Sequence, residues 1–254
     1  MTETQVTLVQ LDNYGPWTTT PSPRPEPDLQ ALQSDLYADL ARLYGAADGY
    51  VFSARYDNVV AVTNGVEEST HARVQETISN RYPVTVSIAS AVDANPTDAL
   101  GSATRKLQSA GSAQASDRSE ALDVDAGGEQ ATIAHFDVVD VTGQYTDTEG
   151  AYETFLRVQR VVLALSSYLY ESHGALAFFV GGDNVIAVCP DLPRAAYEDA
   201  IDHVTEATGI GLQVGVGTGE TAVEGGMRAK EALERCRERS TRIEGDLRAR
   251  PDAD

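Results

Sequence analysis

A chain of 254 residues with a formal net charge of −20 is long enough for one large domain or two small ones. Its 39 acidic residues are spread along the chain against 19 basic ones, of which only Lys106 and Lys230 are lysines, so nucleic acid is not an expected partner. No apolar run approaches the roughly 18 residues of a membrane span, and residues 1–20 lack the pattern of a secretion signal, which predicts a cytoplasmic protein with no membrane partner.

Hydrophobic periodicity predicts a strand at Val6 to Leu11 and a helix at Leu29 to Tyr44, with Leu29, Leu32, Leu36, Leu40 and Leu43 on one face and Asp28 as its cap. A hairpin around Asp57-Asn58, a helix at Ser69 to Ile78, a strand at Val84 to Ile88 and a helix at Pro96 to Leu107 complete a βαββαβ unit plus one helix, residues 1–115. Residues 116–130 fall in a Ser-, Ala-, Asp- and Gly-rich stretch without apolar periodicity and read as a linker. The plan then restarts over 131–240: a strand at Thr132 to Val141, a helix at Tyr152 to Tyr170, a hairpin at Asp183-Asn184, a helix at Ala195 to Ala207, a strand at Leu212 to Val216 and a helix at Val223 to Arg239. Residues 241–254 read as a disordered tail. The expected fold class is α+β: two tandem duplicated ferredoxin-like βαββαβ domains, each an antiparallel sheet flanked by helices.

Asp12 and Asp57 recur as Asp137 and Asp183 at an offset of about 125 residues, and Asp57-Asn58-Val59-Val60-Ala61-Val62 lies over Asp183-Asn184-Val185-Ile186-Ala187-Val188, as a duplication requires. In this topology the end of the first strand and the hairpin joining the second and third strands share one sheet edge, so each acid pair is placed to hold divalent cations. The first long helix also starts there, with free N–H groups for phosphate oxygens. The competing reading is that each Asp only shapes a turn. Cys189 and Cys236 form no C-x-x-C and the histidines His71, His135, His173 and His203 form no H-x-x-x-H, so zinc is not expected and both thiols read as inert core residues.

Asp137-Val138-Val139-Asp140-Val141-Thr142 resembles the D-I-x-G-F-T strand end of class III nucleotide cyclases, and Gly181-Gly182-Asp183-Asn184 resembles the GGDEF hairpin of diguanylate cyclases, with Asn184 where that signature has Glu. By that likeness to palm-like proteins, Asp137 and Asp183 are metal ligands and the Val138 carbonyl is an extra one. Gln10-Leu11-Asp12-Asn13-Tyr14-Gly15-Pro16-Trp17-Thr18, Pro21-Ser22-Pro23-Arg24, Arg55-Tyr56-Asp57-Asn58, Asn80-Arg81-Tyr82-Pro83 and Gly111-Ser112-Ala113-Gln114 resemble archaeal GTP cyclohydrolase III over nearly the whole chain. That resemblance implies a palm-like fold in two duplicated halves, a homotetramer, GTP as substrate, two Mg2+ ions, a monovalent cation such as K+ as activator, and ring opening of GTP towards flavins and deazaflavins. A nucleotide cyclase or diguanylate cyclase-like enzyme and an inactive nucleotide-binding module are the alternatives.

Catalytic and metal roles are expected of Asp12, Asp57, Asp137 and Asp183, with the first pair favoured because its loop carries Arg24, Tyr14 and Trp17, whereas the loop Gly143 to Gly150 holds Asp147 and Glu149 and no base. A site composed of both halves or of neighbouring subunits is open. Asn13, Tyr14, Trp17, Arg24, Asn58, Arg73, Arg81 and Gln114 are the expected substrate-binding residues. Trp17 is placed to stack a purine unless it merely packs on the prolines, and His71 is a candidate for proton transfer against the commoner role of a structural histidine.

Overall fold

The computed structural model describes residues 3–115, 118, 120–139 and 150–247. The amino-terminal half runs β1 (Thr4–Asp12), α1 (Tyr14–Thr19), α2 (Glu26–Gly45), β2 (Tyr50–Arg55), β3 (Asn58–Val62), α3 (Glu68–Arg81), β4 (Thr85–Asp93), α4 (Pro96–Ser109) and β5 (Leu122–Val124). The carboxyl-terminal half runs β6 (Ala131–Val138), α5 (Ala151–His173), β7 (Leu176–Gly181), β8 (Asn184–Cys189), α6 (Arg194–Thr208), β9 (Leu212–Gly219), α7 (Ala222–Arg239) and β10 (Ile243–Gly245). The two five-stranded sheets have the orders β2-β3-β1-β4-β5 and β10-β9-β6-β8-β7. In each, the first strand of the unit is central and antiparallel to both neighbours, the arrangement a βαββαβ unit demands. The fold is α+β and duplicated.

Three features depart from the sequence reading. The first long helix opens at Glu26, so Asp28 lies in its first turn, and the short α1 precedes it. Within 116–130 lies β5, parallel to β4, and within 241–254 lies β10, parallel to β9. Edge strands this short carry no readable alternation and owe their place to partners. β5 is held by Gln75 Nε2 donating to the Ala121 carbonyl at 2.7 Å and by Lys106, which pairs with Asp123 at 2.8 Å and Asp125 at 2.7 Å.

Alternation along the central strands distributes side chains between two cores. Val9 and Leu11 face Leu36, Leu40, Tyr44, Val74 and Ile78 of α2 and α3, while Ala134, Phe136 and Val138 face Val161, Leu165, Tyr197 and Ile201 of α5 and α6. The opposite faces meet in a third, shared core with Val6, Leu8, Phe52 and Val60 from one half and Ile133, Leu176, Phe178 and Val188 from the other, closed by the alanines of α4 and α7. Phe52 and Phe178 occupy corresponding hairpin positions and stack at 4.6 Å with planes 4° apart. A reciprocal backbone exchange adds to this: Val223 N–H donates to the Asp48 carbonyl at 3.1 Å and Thr97 N–H to the Gly174 carbonyl at 3.2 Å. Each donor belongs to the first turn of the third long helix of one half, and each acceptor follows the first long helix of the other, so two orphan helix N–H groups are satisfied across the divide.

Helix α7 approaches β9 more closely than side chains allow. A Cβ on Gly215 would lie 2.1 Å from the Ala229 carbonyl oxygen, and one on Gly217 2.4 Å from the Ala229 nitrogen. Gly217→Ala is therefore expected to push α7 off the sheet and cost about 1–3 kcal/mol, read as a lower denaturant midpoint at an unchanged m-value.

His71 lies fully buried with its Nδ1 2.9 Å from the Tyr44 hydroxyl, inside the α2–α3 core and away from the strand ends, which argues against the proton-transfer role. Burial lowers its pKa to about 4, so it folds neutral. Above pH 6.5 folded and unfolded chains bind equal protons there. As pH falls from 6.5 towards 4 the unfolded chain takes a proton that the folded one refuses, and about 3 kcal/mol is lost. In urea titrations His71→Gln should flatten the stability profile across that window at constant salt.

Candidate active site

β6 turns Ile133, His135 and Asp137 towards α7, and its last residues meet the β7–β8 hairpin. Gly181 and Gly182 hold φ of 112° and 61°, a pair of left-handed positions that glycine adopts without strain, and the turn they make places the Asp183 carbonyl 3.3 Å from the Val138 N–H. Asp137 faces Asn184 on β8 and Gln213 on β9. Burial raises the Asp137 carboxyl pKa, Arg237 opposes the rise through a hydrogen bond and its charge, and the neighbouring Asp183 carboxylate adds to it. Arg237 reaches Asp137 at 3.0 Å and Glu234 at 2.6 Å from the last turn of α7, with its side chain 44% exposed. The result is a pair of neighbouring carboxylates at the strand end, one of them mostly buried, balanced by a half-exposed guanidinium. A cavity of about 490 Å³, within the range that holds a small ligand, opens beside Val139 and is lined by Gly211, Leu212, Gln213, Thr241 and Arg242.

Asp12 is arranged differently. Its side chain has no solvent exposure. Oδ1 accepts from Ser87 at 2.8 Å and pairs with Arg118 Nε at 3.3 Å, and Oδ2 accepts from Thr85 at 3.1 Å. Burial raises its pKa while Ser87, Thr85 and Arg118 pull it back. Both oxygens are spent on internal donors, so the geometry disfavours Asp12 as a direct cation ligand. Arg118 in turn donates to the Leu107 carbonyl at 3.2 Å and to that of Gly111, pinning the segment that follows α4. That segment holds the start of α1: Asn13 N–H donates to the Ala113 carbonyl at 2.6 Å and Gly15 N–H to Gln114 Oε1 at 3.0 Å.

Strand register also corrects the equivalence drawn from spacing. Gln10 opposes Asn58 as Asp137 opposes Asn184, so Gln10, not Asp12, is the counterpart of Asp137. A slip of two residues preserves the inside–outside alternation, so the hydrophobic pattern does not discriminate between the two alignments.

At the amino-terminal edge Tyr14 and Trp17 stack with ring centres 5.9 Å apart, Arg24 lies 4.3 Å over the Trp17 ring, and Gln33 donates to the Tyr14 hydroxyl at 2.6 Å. Asp57, in the β2–β3 turn, pairs with Arg55 at 2.8 Å and accepts from Asn58 at 3.0 Å. Burial chiefly raises the Tyr14 pKa, with a smaller contribution from the Asp57 charge. Asn13 Oδ1 and Trp17 Nε1 are buried without partners among the described residues. The structure thus gathers Asn13, Tyr14, Trp17, Arg24, Asp57, Asn58 and Gln114. Arg73 instead bonds Thr70 on α3, and Arg81 pairs with Asp39 at 2.8 Å.

Among the described residues no group of three or more His, Cys, Asp or Glu is placed to hold a metal. Asp137 and Asp183 fit the donor set of Mg2+, which takes one or two carboxylates and completes its shell with water and phosphate oxygens. Asp140, Val141, Thr142, Asp147 and Glu149 lie outside the described residues. Cys189 and Cys236 are both buried, and burial pushes the Cys189 thiol up to about 12, in keeping with inert core thiols. Sequence reasoning missed Arg118 and Arg237. Arg237 looks like any base complementing a helix end, and Arg118 is an isolated residue in a polar stretch.

No helix among the described residues is long and apolar enough to cross a membrane. The chain matches the family model for GTP cyclohydrolase III over residues 6–250. It is 57% identical over 248 residues to a GTP cyclohydrolase III of Halorubrum lacusprofundi, covering 96% of each chain. It is 54% identical to GTP cyclohydrolase III 1 of Halobacterium salinarum, covering 96% of this chain and 98% of that one. Among solved structures, the GGDEF domain of DgcB from Caulobacter crescentus aligns with 45% of this chain and 77% of its own at a TM-score of 0.39 and 14% identity, too remote to bear on function. The chain belongs to the GTP cyclohydrolase III family.

Proposed function

We propose that the protein is a GTP hydrolase that opens the imidazole ring at C8 and removes the β- and γ-phosphates. The product is 2-amino-5-formylamino-6-(5-phosphoribosylamino)pyrimidin-4(3H)-one, an early intermediate towards flavins and deazaflavins. The observation that carries this reading is the match to the GTP cyclohydrolase III model across residues 6–250.

Asp137 and Asp183, with the Val138 carbonyl at the strand end, are the residues we assign to Mg2+ binding, because their carboxylates are close enough to repel and the Asp137 side chain keeps 12% exposure. Two Mg2+ ions, when bound, supply charge neutralisation for the phosphates and acidify a coordinated water. K+ is assigned as an activator through the family resemblance alone. Arg237, which pairs with Asp137 here, would be released by a cation held at that carboxylate and could then meet a phosphate oxygen. The Tyr14–Trp17 stack with Arg24 is the aromatic group we assign to the purine, with Asn13 and Gln114 at the start of α1 and Asn58 on the β2–β3 hairpin as the amides assigned to its polar edge.

Incubation with GTP, Mg2+ and K+ should yield the formylamino-pyrimidine and inorganic phosphate by mass spectrometry, whereas a cyclic nucleotide would overturn the reading. Asp137→Asn and Asp183→Asn should each lower turnover by about 100-fold or more, equivalent to about 2.7 kcal/mol of lost transition-state stabilisation. Asp12→Asn should instead lower the melting temperature and leave Mn2+ affinity intact in the folded protein.

The assembly we propose is a homotetramer that uses α5. Tyr152, Phe155, Leu156, Leu163 and Tyr170 are exposed, and Tyr152, Leu156, Leu163 and Tyr170 recur at the near-heptad spacing of a helix–helix seam. Leu163→Glu combined with Tyr170→Glu should reduce the mass measured by light scattering, and an unchanged mass would place the interface elsewhere.

A further inference from the structure

Asn184 faces two partners. Its Nδ2 donates to Asp183 Oδ1 at 2.9 Å, and its Oδ1 lies 2.9 Å from His135 Nε2. An ionised carboxylate only accepts, so the amide nitrogen must face Asp183 and the amide oxygen must face His135. His135 Nε2 is then the donor, which fixes the ring's tautomer.

The other half builds the same chain from a different residue. Gln10 Nε2 donates to Asn58 Oδ1 at 3.1 Å, and Asn58 Nδ2 donates to Asp57 Oδ1 at 3.0 Å. The donors stand at different places in the register: Gln10 opposes Asn58 itself, whereas His135 opposes Ile186 and reaches Asn184 along the strand. One hydrogen-bonded sequence, reached twice from unrelated side chains at unmatched positions, marks the orientation of the hairpin aspartate as the common requirement.

We infer that His135 is a positioning residue for catalysis: through Asn184 it holds the Asp183 carboxylate beside Asp137, an inference that rests on the reading of Asp137 and Asp183 as the cation-binding pair. The physical need is plain. Two neighbouring carboxylates repel, and an untethered Asp183 side chain relieves the repulsion by rotating away into water. Asn184 removes that freedom, and His135 removes the freedom of Asn184. The charged groups around the ring are Asp137, Lys230 and Arg237.

Glutamine supplies the design of the test, since its Nε2 donor has about the reach of histidine Nε2, and Gln10 shows such an amide donating to the equivalent asparagine. Mn2+ binding followed by electron paramagnetic resonance, alongside GTP turnover, should show His135→Leu about 10-fold weaker in Mn2+ affinity and turnover, and His135→Gln within about 3-fold of wild type. Asp183→Asn is the control for the underlying reading and should also weaken Mn2+ by about 10-fold or more. If Asp183→Asn weakens binding and His135→Leu does not, the positioning role is overturned. If Asp183→Asn itself binds Mn2+ like wild type, the cation reading fails. The ring remains an independent readout that does not depend on the metal or on the folding of any variant. ¹⁵N spectra of selectively labelled wild-type protein should report His135 as the Nε2–H tautomer, and the Nδ1–H tautomer would overturn the chain of bonds.

Discussion

The contact between α7 and β9 is the constraint on which the carboxyl-terminal half depends. Gly215, Gly217 and Gly219 strip one face of the strand, and a Cβ on Gly225 of the helix would itself stand 2.7 Å from the Ala131 carbonyl, so backbone rests on backbone. That depth fixes where both ends of the helix arrive. At its start Val223 meets the Asp48 carbonyl of the other half, and Gly226 leaves room for the Tyr50 ring. At its end Arg237 lands on Asp137. One helix therefore joins the two halves and sets the charge balance of the acid pair.

Duplication has kept the scaffold and divided the chemistry. The amino-terminal half packs α4 on β4 with alanines where α7 meets glycines, and α4 stops at Ser109 without delivering a base to the strand end. Its arginine comes from the following segment: Arg118 meets a carboxylate with no exposure and binds two carbonyls, a buried anchor for the segment that orders α1. A buried ion pair of this kind adds little net stability, but losing one partner strands the other and is costly. In the second half the strand-end carboxylate pairs with an arginine that is 44% exposed. One carboxylate is sealed and arranges its neighbours; the other keeps a little exposure and pairs with an arginine at the surface.

Periodicity made the long elements legible because each has a buried face broad enough to repeat: the leucine stripe of α2 and the alternation in β6 both survive in the structure. What it lacked was anything set by partners rather than by pattern. β5 and β10 are three residues long and borrow their order from β4 and β9. The aspartates could be found, since a polar residue at the end of an apolar strand stands out, but their pairing across the duplication could not. Aligning acid with acid seemed natural, yet hydrogen-bonded register assigns Asp137 to Gln10. The difference matters chemically, because it separates a carboxylate that keeps some exposure at the strand end from one fully enclosed two residues further on.

The charge of the whole chain bears on how such a site meets a triphosphate. A net charge of −20 repels a polyanion at long range, and the exposed ion pairs, such as Arg194 with Glu198 and Arg228 with Glu224, neither reverse that field nor contribute more than about 1 kcal/mol each to stability. Salt acts on the two length scales unequally. At roughly 1 M the screening length is about 3 Å, which removes repulsion across the surface. The contact of Arg237 with Asp137 spans 3.0 Å and is partly buried, so it lies at the limit where screening loses its effect. Concentrated salt thus lets the anion approach while leaving the local arrangement of carboxylates and guanidinium to decide what binds. Specificity in this molecule has to come from contacts a few ångströms long, and the amide and imidazole bonds that hold Asp183 are of that kind.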